Sequence, residues 1–135
     1  MWRKLRRLGA VQVLDGLVVL PLDARTKEQL EWLAEEVAEA GGESSIWLAE
    51  ASSSGEEHAL AGRMAAAVAE AYRALIAETE AAAGEQTPAR ARALRRLRRE
   101  LRAIRSRDFF PPPEAEQAKR AVEALAVEHE GVSSS

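Results

Sequence analysis

The 135-residue chain contains no cysteine, which excludes disulfide bonds, thiolate metal sites and a cysteine nucleophile. Its two histidines, His58 and His129, lack the spacing of a metal site, and aromatic residues make up only 4% of the chain. The longest apolar run, residues 17–22, is too short to cross a bilayer, and nothing resembles an export signal. We therefore expect a soluble, cytoplasmic protein with no membrane partner.

Residue patterns typical of catalysis are also missing. There is no glycine-rich phosphate loop, and the serines at 52–54 are not flanked by the glycines of a nucleophile elbow. The paired acids Glu35 and Glu36 belong to a glutamate-rich helix face, where a solvated surface is the ordinary explanation. The sequence thus predicts a protein that is not an enzyme and uses no cofactor or metal.

What the chain does contain is a concentrated positive segment. Nine arginines and a single acid, Glu100, lie between Arg90 and Arg107. This segment carries a charge of about +8, whereas the whole chain has a formal net charge of -3. Positive charge is therefore segregated into one part of the chain.

The same segment has the periodicity of a helix with one buried stripe. Apolar residues recur at spacings of three, four and three, at Leu94, Leu97, Leu101 and Ile104. Thr87 is expected to cap this helix with Pro88 at its first position, and the prolines at 111–113 should end it. Just before them, Phe109 and Phe110 are expected in an extended or turn conformation that fills a gap between helices.

Arginines on the remaining surface of this helix match the spaced phosphates of nucleic acid, which would supply affinity independent of sequence. The predicted phosphate contacts are Arg95, Arg98, Arg99, Arg102 and Arg105. A basic stretch at the start of the chain would extend this footprint if it folds alongside, through Arg3, Lys4, Arg6 and Arg7. In the internal alternative, the arginines pair with glutamates of a helix at residues 27–40 or keep a solvated helix in solution.

A further alternative is a protein–protein module, in which the long helices form a dimer seam and the arginines pair with acids of a partner. The two functions predict different behaviour in solution. DNA binding predicts an affinity that falls steeply with salt, whereas an oligomerisation module predicts a mass that depends on concentration.

The first residues of the chain predict a short helix followed by a β-hairpin. Residues 2–8 read as the end of a helix that Gly9 stops. An Asp-Gly pair at 15–16, between apolar runs at 11–14 and 17–21, predicts a two-residue turn that needs positive φ at both positions. The second strand is apolar on both faces, so we expect it to be covered on both sides.

A helix and a third strand are expected next. Thr26 and Gln29 fit a capping box that opens a helix at residues 27–40, which the glycines at 41–42 end. Residues 45–49 predict a third strand, joined to the hairpin by a right-handed crossover onto one sheet.

The rest of the chain predicts helices. Ser54 and Glu57 fit a second capping box, and the helix they open should run to about Ala83. The arginine helix then returns antiparallel to form an αα-hairpin. A final helix is expected at residues 114–129, followed by a disordered tail at residues 131–135.

Several stretches, taken in order, resemble the N-terminal domain of the bacterial chromate-resistance regulator family, ChrB. They are WRKLRRLGA, the Asp-Gly hairpin ending in LP, TKEQLEWLAEEVAEAGGE, the long helix, and LRRLRRELRAIRSRDFFPPPEAEQAKRAVEAL, in which RDFF-P is the most specific part. The family's members are chromate-responsive transcriptional regulators, so the resemblance implies a DNA-binding regulatory domain. It also implies an opening region similar to the ferredoxin-like sheet domain of the Cas2 type.

The expected fold is therefore α+β: a small, truncated ferredoxin-like sheet covered by helices, then a long αα-hairpin and a C-terminal helix. We expect one domain at residues 1–130, with a sheet part at 1–51 and a helical part at 52–130, and without the family's sensing part. The expected partner is promoter DNA. A homo-oligomer, such as a dimer, is also expected, because an open sheet edge invites pairing with another copy of the chain.

Overall fold

The α+β class is confirmed in the computed structural model, which describes residues 2–133 and the side chains of residues 2–129. Within these residues the order of elements is α1 (Trp2–Leu8), β1 (Val11–Leu14), β2 (Leu17–Val19), α2 (Ala24–Glu39), α3 (Ser54–Ala83), α4 (Thr87–Ser106) and α5 (Pro113–Ser133). The chain divides inside α3 into two compact units, Met1–Met64 and Ala65–Ser135.

The predicted short helix and hairpin are both present in the first unit. Helix α1 ends at Gly9, whose φ of 93° is the left-handed geometry that a helix stop requires. Strands β1 and β2 pair antiparallel, with a register shift between Gln12 and Leu14. Only Gly16 of the turn has positive φ, so the prediction of positive φ at Asp15 was wrong.

Two other predictions about the sheet were also wrong. The segment at 45–49 forms no strand, so the sheet of the described residues has two strands and no crossover. Ile46, Trp47 and Leu48 are exposed there. A short apolar run becomes a strand only where a neighbouring strand accepts its hydrogen bonds, and this segment does not meet that condition. Leu17 is 48% exposed, so β2 is not covered on both faces. A ferredoxin-like sheet is therefore not confirmed.

Helix α2 is present, but it begins three residues earlier than predicted. Asp23 is the N-cap: its side chain accepts a hydrogen bond from the backbone N–H of Thr26, at 2.8 Å. Thr26 is buried and donates its hydroxyl to the carbonyl oxygen of Pro21, at 2.6 Å. The capping box therefore pairs Asp23 with Thr26, whose hydroxyl oxygen accepts a hydrogen bond from the backbone N–H of Asp23 at 3.1 Å.

Helix α3 also begins with a cap one residue earlier than predicted. The hydroxyl of Ser53, not that of Ser54, accepts a hydrogen bond from the backbone N–H of Glu56, at 3.2 Å. The predicted end of this helix at Ala83 is confirmed. A neighbouring serine can take over the cap because all three serines carry the same acceptor oxygen.

The second unit contains the main core, formed by α3, α4 and α5. Its buried members are Val68, Tyr72, Leu75 and Ala82 of α3, Leu94, Leu97, Leu101 and Ile104 of α4, and Ala118, Val122, Leu125 and Ala126 of α5. The stripe predicted on α4 is confirmed in full. Abundant alanine on the facing helices lets their backbones approach closely.

The ends of α4 and α5 differ from the prediction in three ways. Gln86 rather than Thr87 is the N-cap of α4, and Pro88 occupies its second position, where the missing N–H is equally harmless. Phe109 is half-buried but Phe110 is 41% exposed, so Phe110 does not fill a gap between helices. Helix α5 continues to Ser133, so the tail predicted from residue 131 is wrong for residues 131–133, and residues 134–135 lie outside the described residues.

Candidate nucleic-acid interface on α4

The arginines of α4 lie where the buried stripe places them. Because a helix turns by about 100° per residue, burying that stripe turns the opposite and flanking positions outward. Five arginines on this surface are exposed, and we call them the arginine face: Arg95, Arg98, Arg99, Arg102 and Arg105. The predicted orientation of the helix thus agrees with the structure.

The arginine face is also largely without partners inside the molecule. The side chains of Arg95, Arg98, Arg99 and Arg102 form no ion pair or hydrogen bond among the described residues. Internal pairing with carboxylates, the alternative raised by the sequence, therefore does not occur at these four positions. Their guanidinium groups are available to an external anion.

On the other flank of α4, one arginine is paired with carboxylates. Arg96 lies 3.5 Å from a carboxylate oxygen of Glu78 on α3 and 3.2 Å from one of Glu100 on its own helix. A hydrogen bond to Glu100 raises the pKa of Glu78, and burial adds to this effect. Arg96 thus links α4 to α3, whereas Arg92, one turn earlier on the same flank, is exposed and forms no ion pair among the described residues.

Two further arginines are not available as surface charge. Arg90 is 8% exposed, and its Nε has no hydrogen-bond partner among the described residues. Arg107 is half-buried and has a contact of its own. The total charge of residues 90–107 is therefore larger than the charge that their surface presents. The sequence alone does not separate buried from exposed arginines.

The spacing of the arginine face suits a row of phosphates. Arg95 and Arg102 are seven residues apart, a distance of about 10 Å along a helix. Side chains as long as arginine can reach several Å beyond the helix, so neighbouring positions can contact successive phosphates of one strand. Such contacts position a protein on a duplex without reading its sequence.

The second predicted basic segment lies on α1, in the other unit. Arg3, Lys4, Arg6 and Arg7 are all exposed. Lys4 is paired with Glu36 of α2 at 2.6 Å, and Nε of Arg7 donates to the carbonyl oxygen of Arg3 at 3.4 Å. A joint footprint of α1 and α4 on one nucleic acid stays a prediction.

Sequence reasoning missed the contact that holds the far end of α4. The phenol of Tyr72, which is fully buried on α3, donates a hydrogen bond of 2.7 Å to Oδ2 of Asp108, just after α4. Burial raises the pKa of Tyr72, and the hydrogen bond to the Asp108 carboxylate raises it further. The only signal in the sequence was a lone tyrosine on an otherwise apolar helix face.

This contact predicts a specific loss of stability at alkaline pH. Since the pKa of Tyr72 is raised in the folded state, its stabilising effect is complete below the unfolded value of about 10 and falls as pH rises beyond it. Phenolate absorbance, which reports the only tyrosine of the chain, should appear at higher pH in folded protein than in urea. Tyr72→Phe should remove this part of the pH dependence; coincident titrations in the two states would contradict the prediction.

Two kinds of feature are absent from the described part of the chain. No group of three or more histidine or acidic side chains there could hold a metal ion. No helix there is long and apolar enough to span a membrane.

Comparison with known proteins gives one match. The model of the family described as Protein ChrB, N-terminal, matches residues 1–87. The match covers all of the first unit and α3, and it stops at the first residue of α4, so the arginine face and the RDFF-P segment lie outside it. No curated protein and no solved structure matches the chain. With well over half of its residues matched, the chain belongs to the N-terminal family of ChrB, the chromate-resistance regulator.

Proposed function

We propose that the chain is a DNA-binding domain of a cytoplasmic transcriptional regulator linked to chromate resistance, and that it is not an enzyme. The observation that supports this most strongly is the arginine face, whose members are exposed and, at four of five positions, unpaired. Membership in the ChrB N-terminal family supports the regulatory part of the proposal.

Electrostatics supply the affinity in this proposal. Each arginine that neutralises a phosphate releases condensed counterions, and this gain does not depend on the base sequence. A formal net charge of -3 does not oppose such binding, because the arginine face is locally positive over more than a Debye length of about 10 Å.

The salt dependence of binding tests the proposal directly. With four to five phosphate contacts, a plot of log affinity against log salt should have a slope of about -3.6 to -4.5. Affinity for a mixed-sequence DNA duplex should therefore fall about 150- to 500-fold between roughly 50 and 200 mM salt. Fluorescence anisotropy with a labelled duplex would measure it. Absent binding at low salt, or a slope near zero, would overturn the proposal.

A protein–protein module is the second candidate, and one observation favours it. The first unit exposes large apolar side chains, including Trp32 at 66% and Trp47 at 83%. Exposed apolar surface of this kind marks interaction sites in soluble proteins. The two functions do not exclude each other, because the apolar side chains and the arginine face belong to different units.

A further inference from the structure

The two units expose very different amounts of apolar surface. Among the described residues, nine large apolar side chains are exposed in the first unit and two in the second. All three tryptophans of the chain belong to the first unit, and Trp2, Trp32 and Trp47 are 40%, 66% and 83% exposed. Tryptophan is rarely left so exposed without a partner, and it is enriched at the centres of interfaces.

A groove between α1 and α2 lies beside one of these tryptophans. Its volume is about 410 Å³, and its apolar lining comes from Leu8, Trp32 and Leu33. Charged side chains of both signs, including Arg7 and Glu28, also line it. The groove therefore combines an apolar space beside an exposed indole with charged side chains of both signs in its lining.

The unpaired charges of these two helices match in number. On α1, Arg3, Arg6 and Arg7 form no ion pair among the described residues. On α2, Glu28, Glu35 and Glu39 likewise form none. A surface that carries both a basic and an acidic helix can be complementary to a second copy of itself. Across a two-fold axis, the basic helix of each copy faces the acidic helix of the other.

We propose that this face of the first unit binds a second copy of the chain about a two-fold axis. Trp32 of each copy enters the groove of the other, and the free cations of α1 face the free carboxylates of α2. The inference does not rest on the proposed DNA binding, because α4 belongs to the other unit. It assigns to Arg3, Arg6 and Arg7 a partner different from DNA.

The size of the contact predicts a dimer that forms reversibly. Two buried tryptophans contribute about 300–500 Å², whereas a stable interface buries roughly 1,200 Å² or more. Neighbouring exposed side chains such as Trp2 must therefore take part. Association should be visible in the micromolar range and depend on concentration.

The first test measures mass against concentration by analytical ultracentrifugation. The wild-type chain should pass from 14.7 kDa towards twice that mass, with a blue shift of tryptophan fluorescence. Trp32→Glu should weaken association by roughly 30-fold or more, as loss of an interface anchor does. Trp47→Glu is the matched control, since Trp47 is exposed in the same unit but does not line the groove, and it should associate like wild type.

The second test uses charge reversal and mixing. Arg7→Glu and Glu28→Lys should each weaken association, because like charges then meet twice across the two-fold axis. Mixing the two variants should restore it, since both contacts of the mixed dimer become favourable. A substitution that only destabilised its own chain would not be rescued by mixing with the other variant.

Three results would overturn the inference. They are a wild-type mass that stays monomeric at the highest concentration, a dimer that survives Trp32→Glu, and mixed variants that do not associate. Arg98→Glu with Arg102→Glu should leave the dimer intact, so failure of DNA binding and failure of dimerisation remain distinguishable. Far-UV circular dichroism should show that each variant keeps the helix content of the wild type.

Discussion

Arg98→Glu combined with Arg102→Glu is expected to reduce affinity for a mixed-sequence DNA duplex by roughly 100-fold or more at low salt. Each charge-assisted contact contributes about 1.5–3 kcal/mol, and both side chains are exposed and unpaired in the free protein. The salt slope should fall by about two, since two phosphate contacts are lost. The loss should be similar for unrelated DNA sequences, because phosphate contacts carry no sequence information.

A matched control separates this effect from a change in overall charge. Arg73→Glu with Arg120→Glu changes the net charge equally and in the same unit, but at exposed arginines of α3 and α5 that pair with Glu114 and Glu116. This variant should keep most of the affinity. If both double variants lose affinity equally, the arginine face is not the contact surface; if neither does, DNA is not its partner.

Leu97→Ala is expected to lower the free energy of unfolding by about 2–5 kcal/mol, the range for leucine truncation in a packed core. Leu97 is fully buried at the centre of the cluster that joins α3, α4 and α5. Its removal leaves a cavity that neighbouring helices fill only in part. Urea denaturation followed by far-UV circular dichroism would measure the change.

Leu14→Ala provides the comparison for this substitution. Leu14 is 65% exposed on the hairpin, so its truncation should change stability by less than about 0.5 kcal/mol. Equal effects at Leu14 and Leu97 would show that the cluster does not supply the stability of the second unit. A change below about 1 kcal/mol at Leu97 would do the same.

Helical periodicity made much of the fold predictable. The spacing of Leu94, Leu97, Leu101 and Ile104 identifies the buried stripe of α4, and every one of these residues is buried. The same spacing placed the arginine face outward, since side chains of one helix hold fixed angles to one another. Gly9 and Gly41 marked helix ends, because they adopt the positive φ that few other residues tolerate.

Local hydrogen-bond partners were harder to predict. The sequence predicted Thr26 and Gln29 as the capping box of α2, but Asp23 is the N-cap and Thr26 its partner. The Thr26 hydroxyl accepts a hydrogen bond from the backbone N–H of Asp23 and donates to the carbonyl oxygen of Pro21. The third strand predicted at residues 45–49 is absent for a similar reason, because a segment pairs as a strand only where another strand lies beside it.

By itself, the sequence determined the α+β class, the orientation of α4, the surplus of arginine on one surface and membership in the ChrB N-terminal family. These follow from periodicity, composition and local motifs, all of which are properties of neighbouring residues. Only the tertiary structure decided which charges remain free, through the pairing of Arg96 with Glu78, the burial of Arg90 and the contact between Tyr72 and Asp108. Such pairings join residues far apart in the chain, and their geometry depends on how the helices pack.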